Sequence, residues 1–212
     1  MKPCACTDVH ERKKAIVLTG GPGAGKSAVL ELVRQSFCEH VVVLPEAASL
    51  LFGGGFPRRP DLPARRAAQR AIFFVQRELE RCASEGAAPA IMLCDRGTID
   101  GGAYWPGPGD LWTEVGTSRE LELQRYAAVI HLRTPSEATG YDWSNPIRTE
   151  SAREAAVIDE RIAQIWEGHP RRLFVESTAE FLQKAVRAVE FLRQELPPCC
   201  RKTFSPAKSS QP

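Results

Sequence analysis

A glycine-rich segment between an apolar run and an amphipathic run is the feature that most constrains this chain of 212 residues. Residues 15–20 read AIVLTG, a short apolar run that ends at a glycine and predicts a buried strand. Residues 26–39 then place apolar side chains at helical spacing and predict a helix. Between them, residues 20–27 read GGPGAGKS and match the pattern G-x-x-x-x-G-K-[ST] in full. A strand, this loop and a helix in that order predict a phosphate-binding loop, or P-loop.

The residue types of the P-loop indicate how it would bind a nucleoside triphosphate. Glycines accept positive φ angles, so backbone N–H groups can close around phosphate oxygens at the positive end of the helix dipole. Lys26 would reach the β- and γ-phosphates, and Ser27 would hold Mg²⁺. ATP and GTP are both open as ligands. The predicted nucleotide site is formed by consecutive residues: Gly21, Pro22, Gly23, Ala24, Gly25, Lys26, Ser27 and Ala28.

The rest of the chain alternates strand-like and helix-like segments, which is typical of a parallel sheet covered by helices. A long helix is predicted over 63–85 with Phe74 facing inward, and a later helix begins at a capping box of Ser151 and Glu154. We expect a three-layer α/β/α P-loop fold with a mainly parallel five-stranded sheet. The four further strands are predicted from apolar runs at 41–44, 90–94, 127–132 and 173–175.

Composition and charge predict one domain and exclude several classes of protein. With 43% hydrophobic residues the chain can form its own core, and we expect a domain over 14–196 between a flexible N-terminus (1–13) and a disordered basic tail (197–212). The net charge of +2 argues against a dedicated nucleic-acid binder. No apolar run approaches the roughly 18 residues of a membrane span. The N-terminus also lacks the apolar core of a secretory signal, so we expect a cytoplasmic protein.

Seven cysteines, an odd number in a chain that can build its own core, do not predict a disulfide framework. Three of them lie in or beside apolar stretches and are expected to be reduced and buried: Cys38, Cys82 and Cys94. Two short pairs stand at the polar ends of the chain, Cys4 with Cys6 and Cys199 with Cys200. Because these pairs have no histidine beside them, we do not expect them to share a metal. Their role stays open.

The third predicted strand ends in Cys94-Asp95-Arg96-Gly97. An aspartate at a strand end downstream of a P-loop usually orients Mg²⁺ or its water, although Asp95 could instead cap a turn. Arg96 stands where motor-type ATPases usually have a water-activating glutamate, and the guanine-reading Asn-Lys-x-Asp run of signalling GTPases does not occur. The Asp-Arg pair resembles the same strand end in thymidylate and deoxynucleoside kinases, where it serves substrate and metal.

The loops after the strands should carry the residues of an acceptor site, because ligands bind there in α/β folds. Glu46 follows the second strand, where deoxynucleoside kinases have a carboxylate facing the acceptor hydroxyl. It could accept a proton, or it could be a solvated acid at a helix start. Asp100 and Tyr104, with Trp105, could line an acceptor pocket or could simply be packed side chains.

Two groups of arginines are further candidates. Arg65 and Arg66 belong to a cluster over 58–70 that suits bidentate binding of phosphate or carboxylate; a solvated helix face and a codon bias are the alternatives. The segment 134–148 lies where related kinases have a lid. Arg148 would bring positive charge onto the transferring phosphoryl group, or it could pair with Glu150 or Glu154.

The motifs GGPGAGKS, LPEAA, CDRGTIDGGAYWPG and NPIRTE, in this order, resemble the AAA-like P-loop ATPase domain family over about residues 14–195. That family includes the ribosylnicotinamide kinase domain of bacterial NAD regulators and the nucleotide-binding domain of insect photoreceptor translocation-defect proteins. The resemblance implies Mg-nucleotide binding at residues 21–28 with Asp95 at the metal. It does not imply one substrate, since members range from kinases to nucleotide-dependent regulators.

These residues favour a nucleoside-kinase-like enzyme that transfers the γ-phosphoryl group of ATP or GTP to a small metabolite, for which the arginine cluster suggests an anionic group. Lys26 and Arg148 would neutralise charge, and Glu46 or Asp95 would take the acceptor proton. The alternative is a nucleotide-binding regulatory ATPase or GTPase that switches a protein or lipid partner, which the basic tail and the arginine cluster also fit. The identity of the acceptor and the oligomeric state stay open.

Overall fold

In the described part of the chain five parallel strands form one sheet, in the order β2 (Val41–Leu44), β3 (Ile91–Asp95), β1 (Lys14–Thr19), β4 (Ala128–Leu132) and β5 (Arg172–Val175). The computed structural model of the protein describes residue 4 and residues 13–85, 89–135, 151–177 and 181–201. The predicted strands are confirmed to within a residue at each end, and the sheet is parallel throughout.

Helices connect the strands and cover both faces of the sheet. Five of the helices in the described part of the chain have seven residues or fewer, which is at most two turns. In the described part of the chain, no helix is both long enough and apolar enough to cross a membrane. The bounds are α1 Lys26–Ser36, α2 Ala47–Gly53, α3 Leu62–Glu85, α4 Asp100–Ala103, α5 Leu111–Val115, α6 Arg119–Gln124, α7 Ala152–Ile165, α8 Phe181–Glu195 and α9 Pro198–Arg201.

The two faces of the sheet have separate apolar cores. Alternate residues of a strand point to opposite faces, so Ile16 joins the core under α1 and α8 while Val17 joins the core under α3 to α7. Phe37 and Leu192 are buried in the first core, and Trp166 is buried in the second. This arrangement is the expected three-layer α/β/α fold.

The phase of α3 differs from the prediction. Phe74, expected to face inward, is 52% exposed, whereas its neighbour Phe73 is buried. The buried face of α3 includes the polar residues Gln76 and Glu80. An apolar periodicity does not count these two, which is why the predicted face was wrong.

The C-terminal boundary also differs from the prediction. The tail was expected to begin at residue 197, but α9 continues the ordered chain to Arg201. Cys200 is buried, its N–H donates to the carbonyl of Pro197 over 3.0 Å, and Arg201 Nε donates to the carbonyl of Leu196 over 2.9 Å. The rest of the tail, 202–212, lies outside the described residues, and so does the predicted flexible N-terminus apart from residues 4 and 13.

Candidate functional site

The P-loop connects the central strand β1 to α1, and its shape depends on glycines. Gly25 caps α1 in the left-handed conformation, with a φ of 91°. At Gly20 a Cβ would lie 2.1 Å from the carbonyl oxygen of Leu132, so no larger residue fits against the end of β4. Both positions therefore require glycine. The first-turn N–H groups of α1, which have no partner within the helix, start directly after this loop.

Lys26, the first residue of α1, lies in a site of mixed charge. Its Nζ donates to the carbonyls of Gly20 and Gly21 over 3.0 and 3.1 Å. Burial and the nearby Arg96 lower the pKa of Lys26 to about 8, while Asp95 and other carboxylates act in the opposite direction. A bound polyanion would favour the charged form of this side chain.

The end of β3 holds Arg96 in a strained conformation. With a φ of 70°, Arg96 is the single non-glycine residue with a positive φ among those described. Its N–H donates to the carbonyl of Leu18 over 3.0 Å, which fastens the turn to β1. Its Nε donates to Glu46 Oε1 over 2.7 Å, and its guanidinium lies 5.6 Å from the ring centre of Tyr104. Backbone strain of this kind persists where the surroundings enforce it, often at functional sites.

The charges at this strand end are set by burial and by one another. Burial raises the pKa of Asp95, and Lys26 opposes that rise. Burial also acts to raise the pKa of Glu46, but Arg96 and the Ser49 hydroxyl hold it below its ordinary value. Glu46 is therefore an ionised carboxylate that its partners keep in place.

Two buried polar atoms here are unsatisfied by the described residues, Oδ1 of Asp95 and Nη1 of Arg96. A buried carboxylate oxygen without a partner suits a cation, and a buried guanidinium N–H suits an anion. Mg²⁺ prefers oxygen ligands, which Asp95 at the end of β3 and the exposed Ser27 in the first turn of α1 could supply. The strand that leads into the P-loop, β1, pairs with β3 up to Asp95. These residues fit the metal that the sequence predicts.

A cavity of about 550 Å³ opens beside the P-loop. Its wall includes Pro22 of the loop, Glu46 and Phe52 of the α2 region, and Arg96 and Tyr104 from the chain after β3. The helix α3 closes another side. Charged and aromatic side chains therefore surround one space at the carboxyl edge of the sheet.

The arginine cluster divides into two groups. Arg65 borders the cavity, together with Arg58 and Arg59. Arg66 does not: its side chain donates to the carbonyls of Pro106 and Pro108, and its guanidinium lies 5.2 Å from the ring centre of Trp105. The position of Arg66 favours a structural role in holding the loop after α4 against α3.

Asp100 borders the cavity, but its carboxylate already has three donors. Oδ1 accepts from the Thr19 hydroxyl over 2.5 Å and from Trp166 Nε1 over 3.0 Å, and Oδ2 accepts from the Gly97 N–H over 2.8 Å. These bonds link β1, the turn after β3 and α7. Asp100 therefore positions the turn that carries Arg96 and also borders the cavity, and its contact with a substrate stays a prediction.

Asp159 is a site residue that the sequence analysis missed. It lies on α7, and its Oδ1 accepts from the Gly21 N–H over 2.8 Å. His131 Nε2 lies 2.9 Å from the same oxygen, and Arg133 Nη1 lies 3.2 Å from Oδ2. Although burial acts to raise it, hydrogen bonds from His131 and Gly21 hold the pKa of Asp159 below its ordinary value. The Asp159 carboxylate holds the P-loop backbone at Gly21, although the two residues are 138 positions apart in sequence. No local sequence motif identifies Asp159.

Of the predicted lid, residues 134–148, only 134 and 135 lie within the described part of the chain. Arg148 and Glu150 lie outside the described residues. The capping box at the start of α7 is confirmed, because the Glu154 N–H donates to Ser151 Oγ over 3.2 Å and the Ser151 N–H donates to Glu154 Oε2 over 2.7 Å.

Comparison with known proteins agrees with this geometry. Residues 15–184 match the family model described as AAA domain. The chain belongs to the AAA domain family. The fold is also that of a structure of deoxyadenosine kinase from M. mycoides with bound dATP, with a TM-score of 0.58, 14% sequence identity, and coverage of 84% of this chain and 98% of that chain. No curated protein matches the sequence. The resemblance to AAA-like P-loop domains and the nucleoside-kinase-like fold are thus confirmed, and the chain is a P-loop nucleotide-binding domain.

Proposed function

We propose that this domain is a Mg²⁺-dependent kinase that transfers the γ-phosphoryl group of ATP or GTP to a small anionic metabolite. The observation that carries the proposal is the cavity of about 550 Å³ beside the P-loop. A nucleotide hydrolase needs only a water molecule next to the γ-phosphate, whereas a kinase needs space for a second substrate. Small-molecule sites usually have volumes of about 300–1,000 Å³, and this cavity falls in that range.

The P-loop would bind the phosphates of the nucleotide, and the residue at the end of β3 would help to bind its metal ion. The amides of residues 21–28 and the Lys26 ammonium bind the phosphates. Ser27 and Asp95 hold Mg²⁺, which when bound neutralises charge on the phosphate oxygens. Arg96 has an N–H available for an anion at the boundary between the P-loop and the cavity. Arg148 remains our candidate for the positive charge of a closing lid.

Glu46 is the proposed general base. It borders the cavity, it is ionised, and Arg96 and Ser49 fix its orientation. In the reaction an acceptor oxygen attacks the γ-phosphorus, the bond to the β–γ bridging oxygen breaks, and the acceptor proton passes to Glu46. Asp95 is the weaker candidate for the base because its free oxygen suits the metal.

The chemistry of the wall indicates the class of acceptor. Arg58, Arg59 and Arg65 surround one part of the cavity with positive charge. Arg59 is paired with Asp61 over 2.9 Å, and Arg58 lies 4.3 Å from the ring centre of Phe52. Arg65 has no such partner among the described residues. An acceptor with a phosphate or carboxylate group would complement Arg65, and Phe52 and Tyr104 offer faces for a planar ring.

Phosphorylation of pooled metabolites tests the proposal directly. The purified protein is given ATP or GTP with nucleosides, their phosphates, sugars and cofactor precursors, and products are identified by mass spectrometry. We expect a phosphorylated acceptor that carries an anionic group. Nucleotide binding and hydrolysis without transfer to any metabolite would contradict the kinase proposal and favour the regulatory alternative.

Two variants then test the roles of the wall residues. Glu46→Gln should lower kcat about 10²- to 10⁴-fold with little change in nucleotide affinity, because it removes the base. Arg65→Glu should raise KM for the acceptor and leave KM for the nucleotide unchanged. The matched control is Arg81→Glu, an exposed arginine on the same helix that pairs with Glu78 outside the cavity. If Arg65→Glu behaves like the control, Arg65 does not bind the acceptor.

A further inference from the structure

Three thiols and an imidazole from distant parts of the chain meet at one place. Cys38 and His40 lie in the turn between α1 and β2, Cys200 lies in α9, and Cys4 comes from the N-terminal segment. One ligand atom from each, Sγ or a ring nitrogen, lies within 4.8 Å of all the others. Cys4 and Cys200 are separated by 196 positions in sequence. No histidine stands beside the terminal cysteines in the sequence, but the fold brings His40 to Cys4 and Cys200.

Three of the six distances within this cluster are close to the edges of a tetrahedron around a metal, and the other three are each within 4.8 Å. Cys4 Sγ and Cys200 Sγ are 4.0 Å apart, and His40 Nδ1 lies 3.8 Å from Cys38 Sγ and 3.3 Å from Cys200 Sγ. Zinc bonds of about 2.3 Å to sulfur and 2.0 Å to nitrogen give tetrahedral edges of about 3.5–3.8 Å. A disulfide would need the two sulfurs at about 2.05 Å. The spacing therefore suits one shared ion better than a covalent bond.

The identity of the donors selects the metal. Three thiolates and an imidazole are a common structural zinc set, whereas Mg²⁺ and Ca²⁺ prefer oxygen. Cys38 and Cys200 are only 4% and 1% exposed and belong to the core under α1 and α8. Glu39 accepts from the N–H of Cys4 over 3.1 Å, which holds that residue beside the cluster. Four protein ligands leave no open position for a substrate.

The cluster lies far from the nucleotide site in the topology of the sheet. Cys38 and His40 come directly before β2, at the amino ends of the parallel strands. The P-loop and Asp95 follow β1 and β3, at the carboxyl ends. The ion would therefore serve the fold rather than phosphoryl transfer.

We propose that Cys4, Cys38, His40 and Cys200 bind one Zn²⁺ ion, which fastens the N-terminal segment and α9 to the turn before β2. On binding, the three thiols lose their protons to solvent and coordinate as thiolates, with no change of oxidation state. Cys6 lies outside the described residues and is not needed for this set.

Metal analysis of the full chain tests the site. Protein purified under reducing conditions without a chelator should contain one zinc ion per chain by plasma mass spectrometry. Cys38→Ser and Cys200→Ser should lose most of this zinc. Cys82→Ser is the matched control, since Cys82, expected to be buried, is exposed on α3 and distant in sequence from the cluster. It should keep its zinc.

A conservative change at the histidine separates loss of a ligand from loss of the fold. His40→Cys should keep zinc as a four-cysteine site, whereas His40→Ala should lose it while circular dichroism stays native. Cobalt added to the metal-free protein should give thiolate-to-cobalt absorption that is absent from Cys200→Ser. Folded wild-type protein that holds neither zinc nor cobalt would overturn the proposal. So would equal zinc loss in Cys82→Ser, or a Cys4–Cys200 disulfide, detected by intact mass, in the protein as purified under reducing conditions.

Discussion

Burial and the nearby Arg96 disfavour the charged form of Lys26 and lower its pKa to about 8. Nucleotide binding should therefore depend on pH. At pH 8 about half of the free protein has a neutral Lys26. Triphosphate binding raises the pKa again because the negative oxygens favour the ammonium form. Binding at pH 8 should therefore take up about half a proton, and binding at pH 6 almost none, since Lys26 is then already charged. Titration calorimetry in buffers of different ionisation enthalpy measures this uptake.

Lys184 provides the control for this prediction. Burial also lowers its pKa to about 8, but it lies on α8, where it donates to the carbonyl of Arg133. Lys184→Met should leave the proton uptake in place. In Lys26→Arg any remaining binding should show none, because arginine stays charged. Uptake that does not change between pH 6 and pH 8, or that disappears in Lys184→Met, would contradict the assignment to Lys26.

Residues of the site differ in how far the sequence could predict them. Lys26, Asp95 and Glu46 follow strands at fixed, local spacings, so a pattern along the chain identifies them. Asp159 reaches Gly21 across 138 positions, and its contact depends on where α7 packs. The same holds for the contact between His40 and Cys200, 160 positions apart. Long-range contacts between polar side chains leave no periodic signal, and a single sequence therefore does not reveal them.

At the scale of elements, α3 shows where hydrophobic periodicity fails. Its buried face carries Glu80, which accepts from Gln76 Nε2 over 2.9 Å and from the Tyr126 hydroxyl over 2.7 Å, and which also pairs with Arg125. A buried carboxylate with this many donors is compatible with a core. A pattern that counts only apolar residues assigns such positions to solvent and so rotates the helix by about one residue.

The phase of α3 can be measured with two adjacent substitutions. Phe73→Ala should lower the free energy of unfolding by about 3–5 kcal/mol, because it leaves a cavity under the helix. Phe74→Ala should lower it by less than about 1 kcal/mol, since that ring is half exposed and its contact with Phe73 is edge-on, at 5.4 Å between ring centres. Urea denaturation gives both values. Equal losses would contradict the observed phase.

At the scale of the whole molecule, the parallel sheet separates two kinds of site. The carboxyl ends of the strands carry the P-loop and the proposed acceptor cavity, and the amino end of β2 carries the cysteine–histidine cluster. The alternation of strands and helices predicted the first of these, because ligands of such sheets bind at that edge. The cysteine–histidine cluster could not be predicted in this way. It needs α9, where the sequence predicted disorder, and it forms only because residues near both chain ends pack on the turn that contains Cys38 and His40.

Because these two sites are on opposite edges of the sheet, their contributions to stability should add. Nucleotide at 100 times its Kd should contribute about 2.7 kcal/mol and raise Tm by about 5–11 °C for a chain of this size. Cys200→Ser should lower the starting Tm through loss of the proposed metal, yet the nucleotide should still contribute the same free energy of stabilisation, within about 0.5 kcal/mol. Thermal unfolding of wild type, Cys200→Ser and the control Cys82→Ser, each with and without nucleotide, measures this. If the stabilisation by nucleotide falls by half or more in Cys200→Ser but not in Cys82→Ser, the two sites are coupled: loss of the cluster then changes the conformation of the P-loop.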